Sequence, residues 1–167
     1  MEIENVMEVS LMIQIKVKPL DHESFRPYGD FVNMYLDGDR PVQFQPDMIA
    51  QTLGTSVEPS YSTCKAQKRP MIVERSEYHS HCGEANLPLD GDIVIHVGKS
   101  GRFNIENFDA FYVPKGTMVV LKPGTYHNAP YPVDGPVNTL VVLPNRTFAN
   151  DAVHVTHEEN EKLELIL

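Results

Sequence analysis

In EYHSHCGEANLPLDG, residues 77 to 91, His79 and His81 stand two positions apart and Glu84 follows three further on. Imidazoles and carboxylates are ligands for divalent first-row metals. Residues two apart on a strand point to the same face, so His79 and His81 can offer both imidazoles to one interior point. Glu84 has the wrong parity for an unbroken strand; the chain must bulge or turn before it, and Cys82-Gly83 supplies the glycine that permits this. Far along the chain, LKPGTYHNAP turns at Pro123-Gly124 and brings in His127 three residues after the glycine. His79, His81, Glu84 and His127 together suit zinc, iron, manganese, nickel or copper, with positions left open for a further ligand. An exposed histidine pair with Glu84 as a surface partner is the plainer alternative. The mutually consistent spacing of three of the seven histidines favours the metal.

The other histidines carry less. His22, His154 and His157 read as surface or loop residues. His96 alternates within DIVIHV against Ile93, Ile95 and Val97, and faces either the barrel interior or solvent. Cys82 is read as a small buried residue, with thiolate ligation as the alternative.

These side chains need strands to hold them. MIQIKVKP alternates Ile13, Ile15 and Val17 with Gln14, Lys16 and Lys18, the period of a half-buried strand. DHESFRPYGDF is broken by Pro27 and Gly29 and allows one helical turn and a loop before a second strand, FVNMYL. Residues 37 to 60 form an excursion around a weakly helical DMIAQTL. From residue 61 onward, YSTCKAQ, MIVERSEYHSH, DIVIHVG, DAFYVPKG, MVVLKPG, NTLVVLP and AVHV follow as strands separated by Gly, Pro, Asn or Asp. The end offers two readings: a helical turn capped by Thr156 and Glu159, or a last strand through LELIL. Thirteen prolines and ten glycines among so many short segments fit an all-β sandwich or closed barrel, because each reversal needs special backbone angles.

A chain of 167 residues makes one domain, 1–167, with a real core. The net charge of -9 repels phosphate backbones and anionic membrane surfaces, so neither nucleic acid nor membrane is expected as a partner. Two cysteines build no disulfide framework and fit a reducing compartment. Glu2, Glu4 and Glu8 stand where a secretory leader needs positive charge, and no apolar run approaches the roughly 18 residues of a membrane span. The expected location is cytoplasmic.

HSHCGEANLPLDG resembles the first motif of the cupin superfamily, and PGTYHN resembles the second. The implied fold is a double-stranded β-helix, the cupin or jelly-roll barrel, with minor helical turns. The whole chain, over about residues 13 to 155, resembles the ureidoglycolate lyase family. The landmarks are VKPLDHESFRPYGDFV at residues 17 to 32, then MIVERSEYHSHCGEANLPLDG, then FDAFYVPKGTMVVLKPGTYHNAP at residues 108 to 130. In that family nonpolar and glutamine residues usually stand at His81 and Glu84, and a second histidine at Asn128, so this chain looks more completely equipped for metal than its relatives.

The resemblance implies a lyase of allantoin and purine breakdown that splits ureidoglycolate, a small α-hydroxy acid, into glyoxylate and urea with a divalent metal ion, and it implies a homodimer. Tyr126, Glu74 and Lys122 are the candidate general acids for the departing urea, with packing as the alternative role of Tyr126. Arg75 either clamps a substrate carboxylate or pairs with Glu74 or Glu77. A cupin of another reaction class, an iron dioxygenase or a sugar-acid isomerase or epimerase, would use the same ligands. A non-catalytic small-molecule-binding cupin is disfavoured, because a regulator would need a basic DNA-binding segment.

Overall fold

Short apolar runs between glycine and proline punctuation become strands that pack in three layers. The computed structural model of the protein describes residues 12–36, 39–44 and 53–167. The strands are β1 (Ile13–Lys16), β2 (Lys18–Pro19), β3 (Gly29–Asn33), β4 (Pro59–Ala66), β5 (Ile72–Val73), β6 (Arg75–Tyr78), β7 (Glu84–Pro88), β8 (Ile93–Gly98), β9 (Phe108–Val113), β10 (Thr117–Leu121), β11 (Tyr131–Pro132), β12 (Val137–Pro144), β13 (Val153–Thr156) and β14 (Leu163–Ile166). Two single-turn helices, α1 (His22–Phe25) and α2 (Thr147–Asn150), interrupt them. The single helical turn expected after the first strand is α1, and the structure shows it capped: the Asp21 carboxylate accepts from the Glu23 and Ser24 amides.

One wall of the barrel is a five-stranded sheet in the order β3-β10-β7-β12-β4. The facing wall runs β11-β8-β9-β2 and is extended by the pair β13-β6. Bridges between Glu77 and His127, and between Gly98 and Tyr126, stitch those two pieces together. Ile93, Ile95, Val97, Phe111 and Val113 from the second wall meet Val119, Leu121 and Val137 from the first in one core, with Phe25 and Tyr28 at its edge. Each such fully buried side chain contributes about 1.5–3 kcal/mol relative to exposure. Gly29 permits the close pairing of β3 with β10, since a Cβ there would overlap the Val120 carbonyl oxygen. These two packed walls form the all-β double-stranded β-helix expected from the motifs.

A third layer, β1-β14-β5, covers the outer face of the second wall. There Val94, Phe108 and Ala110 pack with Val73, Leu163 and Leu165 in a second core. With both faces covered, every residue of β8 is buried. His96 therefore faces neither the barrel interior nor solvent; it lies in the second core, where Ser76 Oγ stands 3.2 Å from its Nε2. His157, expected at the surface, is buried against the same serine at 3.0 Å. His22 and His154 are exposed.

Several segments differ from the periodicity reading. MIVERSEYHSH is not one strand. It divides at Glu74 into β5 and β6, which belong to different layers, and β6 ends at Tyr78 before the histidines. EANLP, which shows no alternation and carries a proline, is the central strand β7, held by β10 and β12. The second strand spans Gly29–Asn33, so Met34, Tyr35 and Leu36 lie beyond it. The tail satisfies both readings in part: a short 3₁₀ turn at Glu159–Glu161 is followed by β14, which runs parallel to β1. The cap is not Thr156 with Glu159; the Glu161 carboxylate accepts from the Glu158 amide. The expected helix at residues 47 to 53 lies outside the described residues except for Leu53. No helix among the described residues is long and apolar enough to cross a membrane.

Candidate metal centre

His79 leaves the end of β6, Glu84 opens β7, and His127 follows the Pro123-Gly124 turn. The turn is tied to the first histidine, because the Gly124 amide donates to the His79 carbonyl at 2.6 Å. Gly124 has φ +77, in the left-handed region where glycine is unstrained. The bridge from Glu77 then fixes His127 with two backbone hydrogen bonds, of 2.6 and 2.8 Å. The result is a buried group in which His79, Glu84 and His127 each offer one ligand atom, all within 4.8 Å of one another.

The orientation of the rings decides what this group can hold. His79 Nδ1 lies 2.8 Å from the Asp151 carbonyl, and His127 Nδ1 lies 2.8 Å from the Thr125 carbonyl. A carbonyl only accepts, so each Nδ1 must donate, and each Nε2 is turned inward. Glu84 Oε2 faces both, at 3.0 Å from His79 Nε2 and 3.2 Å from His127 Nε2. Lone pairs of two imidazoles and a carboxylate thus aim at one place, which requires positive charge between them, either protons or a cation. Ligand atoms about 2.1 Å from a metal and at right angles to each other lie about 3.0 Å apart, which matches this spacing. The residues present fit a divalent ion.

Electrostatics points the same way. Burial alone would raise the Glu84 pKa, but the His127 charge and hydrogen bonds from His127, His79 and Asn86 outweigh it and hold the carboxyl well below the usual range. Burial would likewise lower His127; the Glu84 charge and hydrogen bond, the Thr125 carbonyl and the Glu77 charge overcome it and raise His127 to about 9. Without a metal, Glu84 and His127 are an ion pair.

The structure places His81 apart from this group. Because β6 has ended, the two-residue period no longer applies, and the His81 side chain is 87% exposed with Nδ1 3.1 Å from Asp151 Oδ1. Cys82 packs against Val141 and Leu143. Burial first, and then the Asp151 and Glu84 charges, push its thiol up. Of the candidate acids, Tyr126 packs in the second core and its hydroxyl donates to the Gly101 carbonyl at 2.8 Å. Glu74 pairs with Lys162 at 3.1 Å on the surface, and Lys122 donates to the Arg26 carbonyl. None of the three joins the metal group. Arg75 lines a separate surface groove of about 740 Å³ with Arg69, Asn128 and Tyr131.

Two residues without any local signature complete the site. Asp151, at the end of α2, gives its carbonyl to His79 and its carboxylate to the Ser80 and His81 amides at 2.9 and 2.8 Å. Asn86 donates to the second oxygen of Glu84 at 2.8 Å. Its position two beyond Glu84 would have placed it on the same face had EANLP been legible as a strand.

The ureidoglycolate lyase family profile matches residues 12–164. The chain belongs to the ureidoglycolate lyase family. A member of that family, ureidoglycolate lyase of Rhodobacter capsulatus, is 25% identical over 139 residues, covering 78% of this chain and 86% of the relative. Among solved structures, oxalate decarboxylase of Bacillus subtilis aligns with a TM-score of 0.44 and 14% identity over 60% of this chain and 24% of that one. Oxalate decarboxylase of Lactobacillus farciminis aligns with a TM-score of 0.43 and 17% identity over 59% of this chain and 26% of that one. This chain therefore spans about a quarter of the length of either decarboxylase.

Proposed function

We propose that this chain is a metal-dependent lyase that splits ureidoglycolate, or a closely related α-hydroxy acid, into glyoxylate and urea. The observation that carries the reading is the convergence of His79 Nε2, His127 Nε2 and Glu84 Oε2 inside the barrel. A divalent ion held by these three residues would supply Lewis acidity, lowering the pKa of a substrate hydroxyl. In the overall reaction the hydroxyl loses its proton and forms the carbonyl, the carbon–nitrogen bond breaks with its electron pair on nitrogen, and that nitrogen takes up one proton. The chain's own part is positional. The Asp151 and Thr125 carbonyls hold the imidazoles in one tautomer, Asn86 fixes the rotation of Glu84, and burial of all three side chains keeps competing water out.

The test is release of urea and glyoxylate from ureidoglycolate, without oxygen, by protein loaded in turn with each divalent first-row metal. No product with any metal overturns the reading. A second reading has its own support: two imidazoles and one carboxylate are the donor set of many non-haem iron oxygenases. Oxygen consumption with Fe(II) and an α-hydroxy acid would favour it. A homodimer belongs to the family expectation, and light scattering that shows only monomer would remove it.

A further inference from the structure

We propose that Arg146, with the hydroxyls of Ser60 and Ser62, binds the ureido end of the substrate and stabilises it as it departs; the proposal rests on the lyase reading above. None of the acids singled out in the sequence joins the metal group, so the leaving group needs another partner, and the fold places one nearby.

Cross-strand register locates it. On β12, Val141 pairs with Asn86 of β7 on one side and with Ser62 of β4 on the other. Directly paired residues share a face, so Ser62 stands in the same row as the Asn86 that holds Glu84. Ser60, paired with Leu143, is one step further along that face. Two strand spacings, about 10 Å, separate the β4 backbone from that of β7. Between β4 and α2 lies a cleft of about 240 Å³ lined by Ser60, Ser62, Leu143, Arg146, Thr147 and Phe148.

The cleft abuts the metal group through α2. The Thr147 hydroxyl lies 3.8 Å from Cys82 Sγ, and the Phe148 ring meets the His79 ring edge-on at 6.2 Å between centroids. Arg146 begins this turn with φ 64 and ψ 22 and is the only non-glycine with positive φ among the described residues. Glycine or asparagine occupies that conformation with least strain, so an arginine held there points to a use for its side chain. Its guanidinium makes no hydrogen bond or ion pair with another described residue.

The chemistry suits a ureido group. A planar guanidinium presents several donors to a carbonyl oxygen, and serine hydroxyls accept from N–H groups. As the carbon–nitrogen bond breaks, negative charge spreads from the nitrogen onto the ureido oxygen, where the guanidinium, once paired with that oxygen, lowers the barrier.

Steady-state kinetics and product inhibition on the metal-loaded protein test this. With Arg146→Gln, kcat/KM for ureidoglycolate should fall by about 100-fold or more, the range for loss of one such donor. Inhibition by urea should weaken at least roughly tenfold, while bound metal and inhibition by oxalate, a probe of the metal end, stay at wild-type values. Arg146→Lys should restore part of the loss, and Ser62→Ala should weaken urea inhibition with a smaller effect on rate. If wild-type protein cleaves ureidoglycolate and Arg146→Gln matches it in rate and urea inhibition, the inference is overturned and the lyase reading stands. If wild-type protein releases no urea with any metal, both fall together.

Discussion

Glu84 Oε2 and His127 Nε2 lie 3.2 Å apart although they stand 43 positions apart in the chain. One opens the central strand of the first wall; the other is clamped to β6 of the second. The contact therefore bridges the barrel interior, and it makes occupancy of the site a report on how the two walls meet.

Metal content should follow the three converging side chains. His79→Ala, His127→Ala and Glu84→Gln should each lower bound divalent metal from about one ion per chain to near zero by elemental analysis. His81→Ala should retain it, because that imidazole is held outward by Asp151. Equal metal in all four variants and the wild type would remove the site.

Proton release should accompany metal uptake. Metal-free His127 is protonated below about 9, and a ligand must be neutral, so affinity should rise about tenfold per pH unit toward that value and level off above it. Glu84 is already ionised across this range and contributes no proton. Calorimetry at pH 7 in two buffers of different ionisation enthalpy should show about one proton released per ion. A buffer-independent heat would contradict the Glu84–His127 ion pair.

Asp151 should matter for the metal although it is no ligand. Its carboxylate holds the Ser80 and His81 amides, and with them the approach of His79. Asp151→Ala should weaken metal binding by about 10–100-fold while the far-ultraviolet spectrum is unchanged, the range for loss of an outer partner of a ligand. Asp151→Asn, which keeps an acceptor oxygen, should recover part of it. Unaltered affinity in both would limit Asp151 to loop packing.

Acid stability should carry the mark of His96. Burial first, then the neighbouring His127, His157 and Arg69 charges, lower its pKa to about 3 from the ordinary 6.5. Its Nδ1 also has no hydrogen-bond partner among the described residues. Between these values the unfolded chain binds a proton that the folded chain refuses, so stability is lost as pH falls from 6.5 toward 3, at up to about 1.4 kcal/mol per unit. Above 6.5 both states are neutral at this residue and the effect vanishes. Denaturant titrations of His96→Leu between pH 4 and 7 should show a shallower acid limb than the wild type. Parallel limbs would mean that His96 titrates normally.

Local pattern carried much of the architecture. Alternation in IQIK, IVIHVG and NTLVVLP marks strands that exist, and proline and glycine mark the reversals between them, because both signals arise from residues within a few positions of one another. Where β8 is covered on both faces, alternation no longer separates inside from outside, and His96 went into a core that no neighbouring residue announces. EANLP lacked alternation for a related reason: its inward positions are Glu84 and Asn86, polar because they serve the metal group.

The sequence by itself determined that imidazoles and a carboxylate stand where a barrel can gather them, since residue type and turn chemistry are local properties. Tertiary structure alone decided which of them meet. His81 is two residues from His79 yet turns to solvent once β6 ends, whereas His127 arrives from a distant turn through backbone pairing with Glu77. Asp151 reaches the site only because the end of α2 is brought against His79, 72 positions away in the chain. Contacts of this kind depend on strand register across the sheets, and register is set by the packing of whole faces, which no short stretch of sequence contains.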